Sequence, residues 1–281
     1  MYNQIKTILL LGILTAILLF IGNFFGKTGL TFAILFVFGM NLITYFFSDK
    51  IALTMYRAKE LKKSEYPWLH IMVKEITKEA KIPEPKGIYI IPTTQANAFC
   101  AGRGPKHYVI ACTDGILSLL NKDELKGVLA HEIGHAKNRD VLIATIAATI
   151  AGVISYLAHM AQFAAMFGGG RDDEGGQNIV GLLILAILTP IIAMIIQFAI
   201  SRSREYMADE TGAKLVKNGK HLASALEKIN NSVNHNPLRF GSEAASSLFI
   251  ANPFKGNFLI NMFSTHPDYR ERIKRLNSMK F

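Results

Sequence analysis

Four long stretches of this chain are nearly free of charge, and the stretches between them alternate apolar and polar positions at helix or strand spacing. The first apolar segment runs from about Ile5 to Ile21 and carries only Lys6, near its start. The second runs from about Leu30 to Phe47 without a charge. The third, from about Val141 to Phe167, has His159 and Gln162 as polar exceptions, and the fourth, from about Ile179 to Ile200, contains Pro190 and Gln197. A helix that crosses a bilayer needs roughly 17–25 residues, so these lengths predict four spans arranged as two hairpins. A short Gly22–Gly29 turn joins the first pair. The glycine-rich, acidic stretch Gly168–Gly176 joins the second as a flexible connector. The first segment also has the length of a signal peptide, but it lacks an Ala-x-Ala-like cleavage site and a second apolar helix follows at once. The third and fourth segments can also be read as buried helices of a soluble core; their length and lack of charge favour the membrane.

Basic residues set the orientation of the spans. Lys50, Arg57, Lys59, Lys62 and Lys63 follow the second segment, Lys137 and Arg139 precede the third, and Arg202 and Arg204 follow the fourth. The opposite loops offer Lys27 and Arg171. Both termini and the segments around 50–140 and 201–281 are therefore expected in the cytosol. The organisation is an N-terminal membrane hairpin over 1–49, a soluble part over 50–140, a second hydrophobic hairpin over 141–200 and a second soluble part over 201–281.

Composition agrees with this. The chain is 50% hydrophobic over 281 residues, with a mean hydropathy of +0.25. Its net charge of +10 alone suggests nucleic acid, but no basic stripe interleaves with aromatics and no groove-reading motif is present. Much of the charge is accounted for by membrane topology and the lipid surface. Cys100 and Cys112 fall in two neighbouring predicted strands and match no cysteine-based zinc spacing, so reduced, inert thiols are expected.

The soluble parts carry the chemistry. Leu125, Val128, Leu129, Ile133 and Ala136 recur at helical spacing, with Asn121 as N-cap, and predict a helix over 122–139. Within it stands His131-Glu132-Ile133-Gly134-His135, an H-E-x-x-H run. Positions four apart lie above one another on a helix, so both imidazoles can reach one metal ion. Glu132 beside them can take a proton from an attacking water. A chance match on an amphipathic helix is the alternative.

Two histidines do not complete a catalytic site, which needs a third protein ligand and an open position. After His135 the chain reads Ala-Lys-Asn-Arg-Asp, without a nearby third histidine. The best candidate is Glu205 in Ser203-Arg204-Glu205-Tyr206-Met207-Ala208-Asp209, because the second hairpin returns the chain to the same membrane face. Asp209, one turn on, can accept the other ring N–H of a ligand histidine and fix its tautomer. Both acids also suit a solvated helix start. Zn²⁺ fits such an N₂O set, one ion per chain, although other divalent metals do too.

Gly87–Pro92 and Lys106–Ala111 read as strands, with Asn97-Ala98-Phe99-Cys100-Ala101-Gly102 between them. A strand beside the metal helix can pair with an extended substrate through main-chain hydrogen bonds. Asn97 is then a substrate contact, or a turn residue. Near the C-terminus, Ser264-Thr265-His266-Pro267 precedes Asp268-Tyr269-Arg270. His266 and Arg270 can each donate to an oxyanion, or be a surface turn residue and a solvated helical charge.

Together these motifs resemble the membrane-bound M48 metallopeptidases, and the likeness runs over nearly the whole chain. It implies a mainly α integral membrane protein: about four transmembrane helices and a gluzincin-like α+β metallopeptidase domain with a small sheet. It implies a zinc endopeptidase of the bacterial cytoplasmic membrane that acts on misfolded or damaged membrane proteins under stress. It implies His131, His135 and Glu205 as ligands, Glu132 as the catalytic residue, and Asn97, His266 and Arg270 as groups near the substrate. Cys100 departs from the small residue expected beside the Asn-Ala-Phe run. Two other functions fit less of the sequence. One is a maturation protease for a defined substrate, as in the related prenyl-protein proteases. The other is a non-catalytic zinc-binding adaptor, which would need a fourth protein ligand that the sequence does not offer.

Overall fold

The computed structural model describes residues 26–148, 150, 202–235, 237–238, 240, 247–252 and 267–281, with scattered positions between 9 and 23. Most of the first apolar segment, nearly all of the third, all of the fourth and the Gly168–Gly176 connector lie outside the described residues.

Helix α1 spans Gly26–Met55. Its 30 residues extend about 45 Å at the usual helical rise, more than a bilayer core. Phe32, Leu35 and Phe38 are 69%, 65% and 67% exposed, the inverse of a helix in a soluble core. Among the described residues α1 is the one helix long and apolar enough to cross a membrane. Four residues of the expected Gly22–Gly29 turn, Gly26 to Gly29, are helical. At its other end α1 runs past the boundary expected at residue 49. Helix propagation adds a hydrogen bond per residue, so it need not stop where hydrophobicity stops. The polar end is also held: Asp49 accepts from His107 Nε2 at 3.1 Å, and Arg103 lies over the rings of Tyr45 and Phe46.

Next comes β1 (Lys59–Glu60) and α2 (Pro67–Ala80). Proline opens α2, where its missing N–H costs nothing. Leu69, Met72, Val73, Ile76 and Ala80 form its buried stripe. Strands β2 (Ile88–Ile91), β3 (Ala98–Gly104) and β4 (His107–Thr113) complete a four-stranded mixed sheet, in the order β1-β2-β4-β3. Only β2 and β4 run parallel. The strand β3 is thus an edge. Cys112 faces Ala98 and Cys100 faces Ile110 across the β3–β4 ladder, and both thiols are free and buried.

Thr113 caps the short helix α3 (Asp114–Leu119) by accepting from Ile116 N–H. Helix α4 (Lys122–Lys137) begins in a reciprocal cap: Asn121 accepts from Glu124 N–H while Glu124 accepts from Asn121 N–H. It ends two residues before the expected Arg139, because Arg139 takes a left-handed φ of 60° and the chain turns into a new helical stretch described over 141–148. Helices α5 (Arg202–Val216) and α6 (Lys220–His235) pack on α4, and α7 (Tyr269–Ser278) closes over them. The core is formed by the inner face of the sheet with α2, α4 and α6; Leu69, Ile110, Val128, Leu129, Ile133 and Leu222 are fully buried there.

Candidate active site

Two glycines decide how near α4 and α5 can come. A Cβ on Gly212 would stand 2.7 Å from His131 N, and one on Gly134 would stand 3.1 Å from Ala208 O. Without those side chains the two backbones touch, and the acids of α5 reach the histidines of α4.

The helical spacing brings His131 Nε2 and His135 Nε2 to 3.1 Å. Glu205 Oε1 lies 3.5 Å from His135 Nε2, and its Oε2 lies 3.9 Å from His131 Nε2. These atoms can hold one metal ion. Ligands ~2.0–2.1 Å from a tetrahedral zinc stand about 3.3 Å apart, which matches the observed separations. Each histidine is held from behind by a carboxylate. Asp209 Oδ1 lies 2.9 Å from His131 Nδ1. Asp140 places both carboxylate oxygens 3.2 Å from His135 Nδ1. A carboxylate at Nδ1 keeps the proton there and turns the Nε2 lone pair inward. Two inward lone pairs 3.1 Å apart repel unless a cation stands between them. The donor set and the surrounding acids fit a divalent metal.

Burial and the surrounding charges shift the titration of these groups, and the acids around His135 draw positive charge to the point where the Nε2 atoms meet. Burial lowers the His131 pKa; Asp209 works against this, but the positive fields of His135 and Arg272 add to it. Burial would also lower His135, but Asp140, then Glu205 and Glu132, outweigh it and raise the ring to about 10. Burial is the main cause that raises Glu132 to about 8, with Glu205 adding to it while His135, Arg272 and the Cys100 N–H pull the other way. Oε1 of Glu132 has no hydrogen-bond partner among the described residues.

Three further expected site residues sit differently. Asn97 is fully buried, and its side chain is engaged with the backbone: Nδ2 donates to Ala251 O at 2.7 Å and Oδ1 accepts from Ala98 N at 3.0 Å. Arg270 is exposed, with Nε donating to Tyr269 Oη at 3.3 Å, and the structure does not bring it to the histidines. His266 lies outside the described residues. The arginine that enters the site is Arg272, two positions on. It donates to Asp209 at 2.9 and 2.8 Å and to Ile250 O at 3.0 Å, and its Nη1 lies 3.5 Å from Glu205 Oε2. Sequence reading misses both Arg272 and Asp140. The available signals were a basic residue four before Leu276 on the apolar stripe of α7, and an acid directly after a helix end.

Comparison with known proteins bears on this geometry. Residues 63–280 match the model for peptidase family M48. The chain belongs to peptidase family M48. Its relatives include the protein named Protease HtpX homolog of Persephonella marina, 51% identical over 281 residues, covering 99% of this chain and 97% of that one. The protein of the same name from Syntrophobacter fumaroxidans is 48% identical, covering 99% of this chain and all of its own. That of Thermococcus kodakarensis is 48% identical over 98% of this chain and 95% of its own. In fold, this M48 peptidase is similar to the crystal structure of S. mikatae Ste24p, with a TM-score of 0.52 at 21% identity over 98% of this chain and 66% of the other. The M48 chain is thus a membrane metalloprotease, mostly helical around a small mixed sheet, and its family implies a metal at the active site.

Proposed function

We propose that this M48 metalloprotease is a multi-pass zinc endopeptidase of the cytoplasmic membrane, cutting misfolded or damaged membrane proteins at a cytosolic site as part of a stress response. The observation that carries this reading is the convergence of His131, His135 and Glu205 within 3.1 to 3.9 Å beside Glu132. His131, His135 and Glu205 would hold the metal. Zinc, when bound, lowers the pKa of water and polarises a carbonyl. Glu132 takes the proton of the attacking water and delivers it to the leaving amine. Asp209 and Asp140 hold the two imidazoles in one tautomer each.

The cytosolic placement rests on the basic residues that follow α1 and flank the later apolar segments. In this reading those later segments form a second membrane hairpin. Substrates that are unfolded offer the extended backbone that an edge strand beside the metal helix can engage.

The test is cleavage of an unfolded model protein by the detergent-purified chain, with and without Zn²⁺, against Glu132→Gln. Zinc-dependent cleavage lost in the variant is the expected result. Full activity in Glu132→Gln would overturn the role given to that residue, and stoichiometric zinc without any cleavage would overturn the reading as a protease of unfolded chains in favour of a maturation enzyme for a defined substrate or a structural metal site.

A further inference from the structure

One edge of the sheet belongs to β3, the strand next to the metal helix. An extended substrate would have to bond to the main-chain groups that point outward from that edge. Those groups already have partners within the chain. Ala98 O accepts from Ile250 N–H at 3.1 Å. Ala98 N–H donates to Asn97 Oδ1 at 3.0 Å. Gly102 N–H donates to Thr145 Oγ1 at 3.0 Å.

The partner over Ala98–Cys100 is a short piece of the chain itself. Phe249 pairs antiparallel with Phe99, and residues 247–250 wall the cleft that also contains Glu132, His135 and Glu205. The piece is fastened at three points. Asn97 Nδ2 donates to Ala251 O at 2.7 Å. Arg272 Nη1 donates to Ile250 O at 3.0 Å. The Phe249 ring packs edge-on against Phe99 (centroids 5.2 Å apart) and against Tyr56 at the end of the membrane helix (4.7 Å).

We propose that residues 247–250 are a strap that occupies the substrate's place on the β3 edge, so that the cleft accepts a polypeptide only when that polypeptide displaces the strap. A covered edge also prevents pairing between molecules, but edge protection alone does not require the cover to lie across the metal cleft. The consequence is selectivity by conformation. A folded protein presents no extended backbone and leaves the strap in place; an unfolded one competes with Ile250 for Ala98 O. The inference rests on reading the site as a peptidase and adds a means of keeping it shut.

Phe99 and Phe249 face each other as a pair without mutual hydrogen bonds, the kind with the closest side-chain approach in an antiparallel ladder. The double variant F99C/F249C in the full chain can therefore be joined by an oxidant. Relative to the unaltered chain under the same treatment, the joined form should cleave casein with zinc roughly tenfold or more slowly than the reduced form. Equal rates in the two forms would overturn the strap. A second measurement does not need cleavage or the double substitution. In Glu132→Gln saturated with casein, exchange of the Ile250 amide proton should speed up by roughly tenfold over the casein-free protein. An Ile250 amide that stays protected while casein is bound would overturn the proposal. Failure of the peptidase reading would register separately, as no cleavage by the unaltered, zinc-loaded chain.

Discussion

Arg272 grips Asp209 through both ends of its guanidinium, Nε to Oδ2 at 2.9 Å and Nη2 to Oδ1 at 2.8 Å, with each residue only 2% exposed. Asp209 in turn meets His131 Nδ1 at 2.9 Å. The pair therefore connects the C-terminal helix to the metal face of α4. Burial would raise the Asp209 pKa, but the Arg272 charge and the bonds from His131 and Arg272 outweigh it and hold the carboxyl at about 2. Asp209 thus stays an anion, which is the form that fixes the His131 ring.

Replacing Arg272 separates its structural and positioning contributions. Arg272→Met leaves a buried carboxylate without its counter-charge and should destabilise the fold by about 3–5 kcal/mol. Arg272→Lys keeps the charge but lacks the planar fork, so the chain should fold while its metal affinity falls roughly 10- to 100-fold. Thermal unfolding and competition with a chelator read the two effects. Unchanged affinity in Arg272→Lys would argue against a positioning role.

Asp140 should matter to the metal as much as Asp209 does. It is nearly fully buried, and both its carboxylate oxygens stand 3.2 Å from the ring nitrogen that must not bind the metal. Asp140→Asn preserves size but removes the charge that holds the His135 tautomer. Zinc affinity should drop roughly 10- to 100-fold, and cleavage lost at limiting zinc should return at excess zinc. A variant that stays inactive at saturating zinc would show that Asp140 has a different task.

How much of this could be read from the sequence follows physical range. The His131–His135 pair depends only on helical pitch, and Glu205 and Asp209 share a face for the same reason, so both pairs are legible in the spacing. The Asn121 cap is local as well. Asp140 is not legible in that way, because its approach to His135 depends on the left-handed turn at Arg139. Arg272 depends on how α7 docks, which no local period encodes. Asn97 has the composition of a turn or a binding residue, but its bonds to Ala251 and Ala98 are made by tertiary pairing. The length of α1 exceeds its hydrophobic run because Asp49 finds His107 on a distant strand.

Glu124 gives the fold a pH limit. Burial would raise its pKa, but Lys228, Ser224 and the Asn121 N–H bond the carboxylate and the net shift is downward. With the folded pKa below the unfolded one, this carboxylate stabilises the fold above the ordinary carboxylate range near ~4.3. The contribution fades as pH falls through the still lower folded value. Thermal unfolding at pH 7 and again below about pH 4 should therefore show a steeper loss for the unaltered chain than for Glu124→Gln. Parallel losses in the two proteins would mean that Glu124 is not a source of the acid sensitivity.

The close contact of α4 and α5 predicts a sharp difference between glycines. Gly212 meets the His131 backbone nitrogen where a Cβ would sit 2.7 Å away, whereas Gly39 on α1 has nothing within 4 Å. Gly212→Ala must push the two helices apart, and overpacking of this kind costs about 1–3 kcal/mol. Moving α5 also moves Glu205 and Asp209 away from the histidines, so metal affinity should fall together with stability. Gly39→Ala makes no such contact and should leave both unchanged or gain slightly in helix stability. Unfolding temperature and metal retention, measured side by side, decide the matter: equal behaviour of the two variants would mean that the Gly212 contact does not set the distance between the helices.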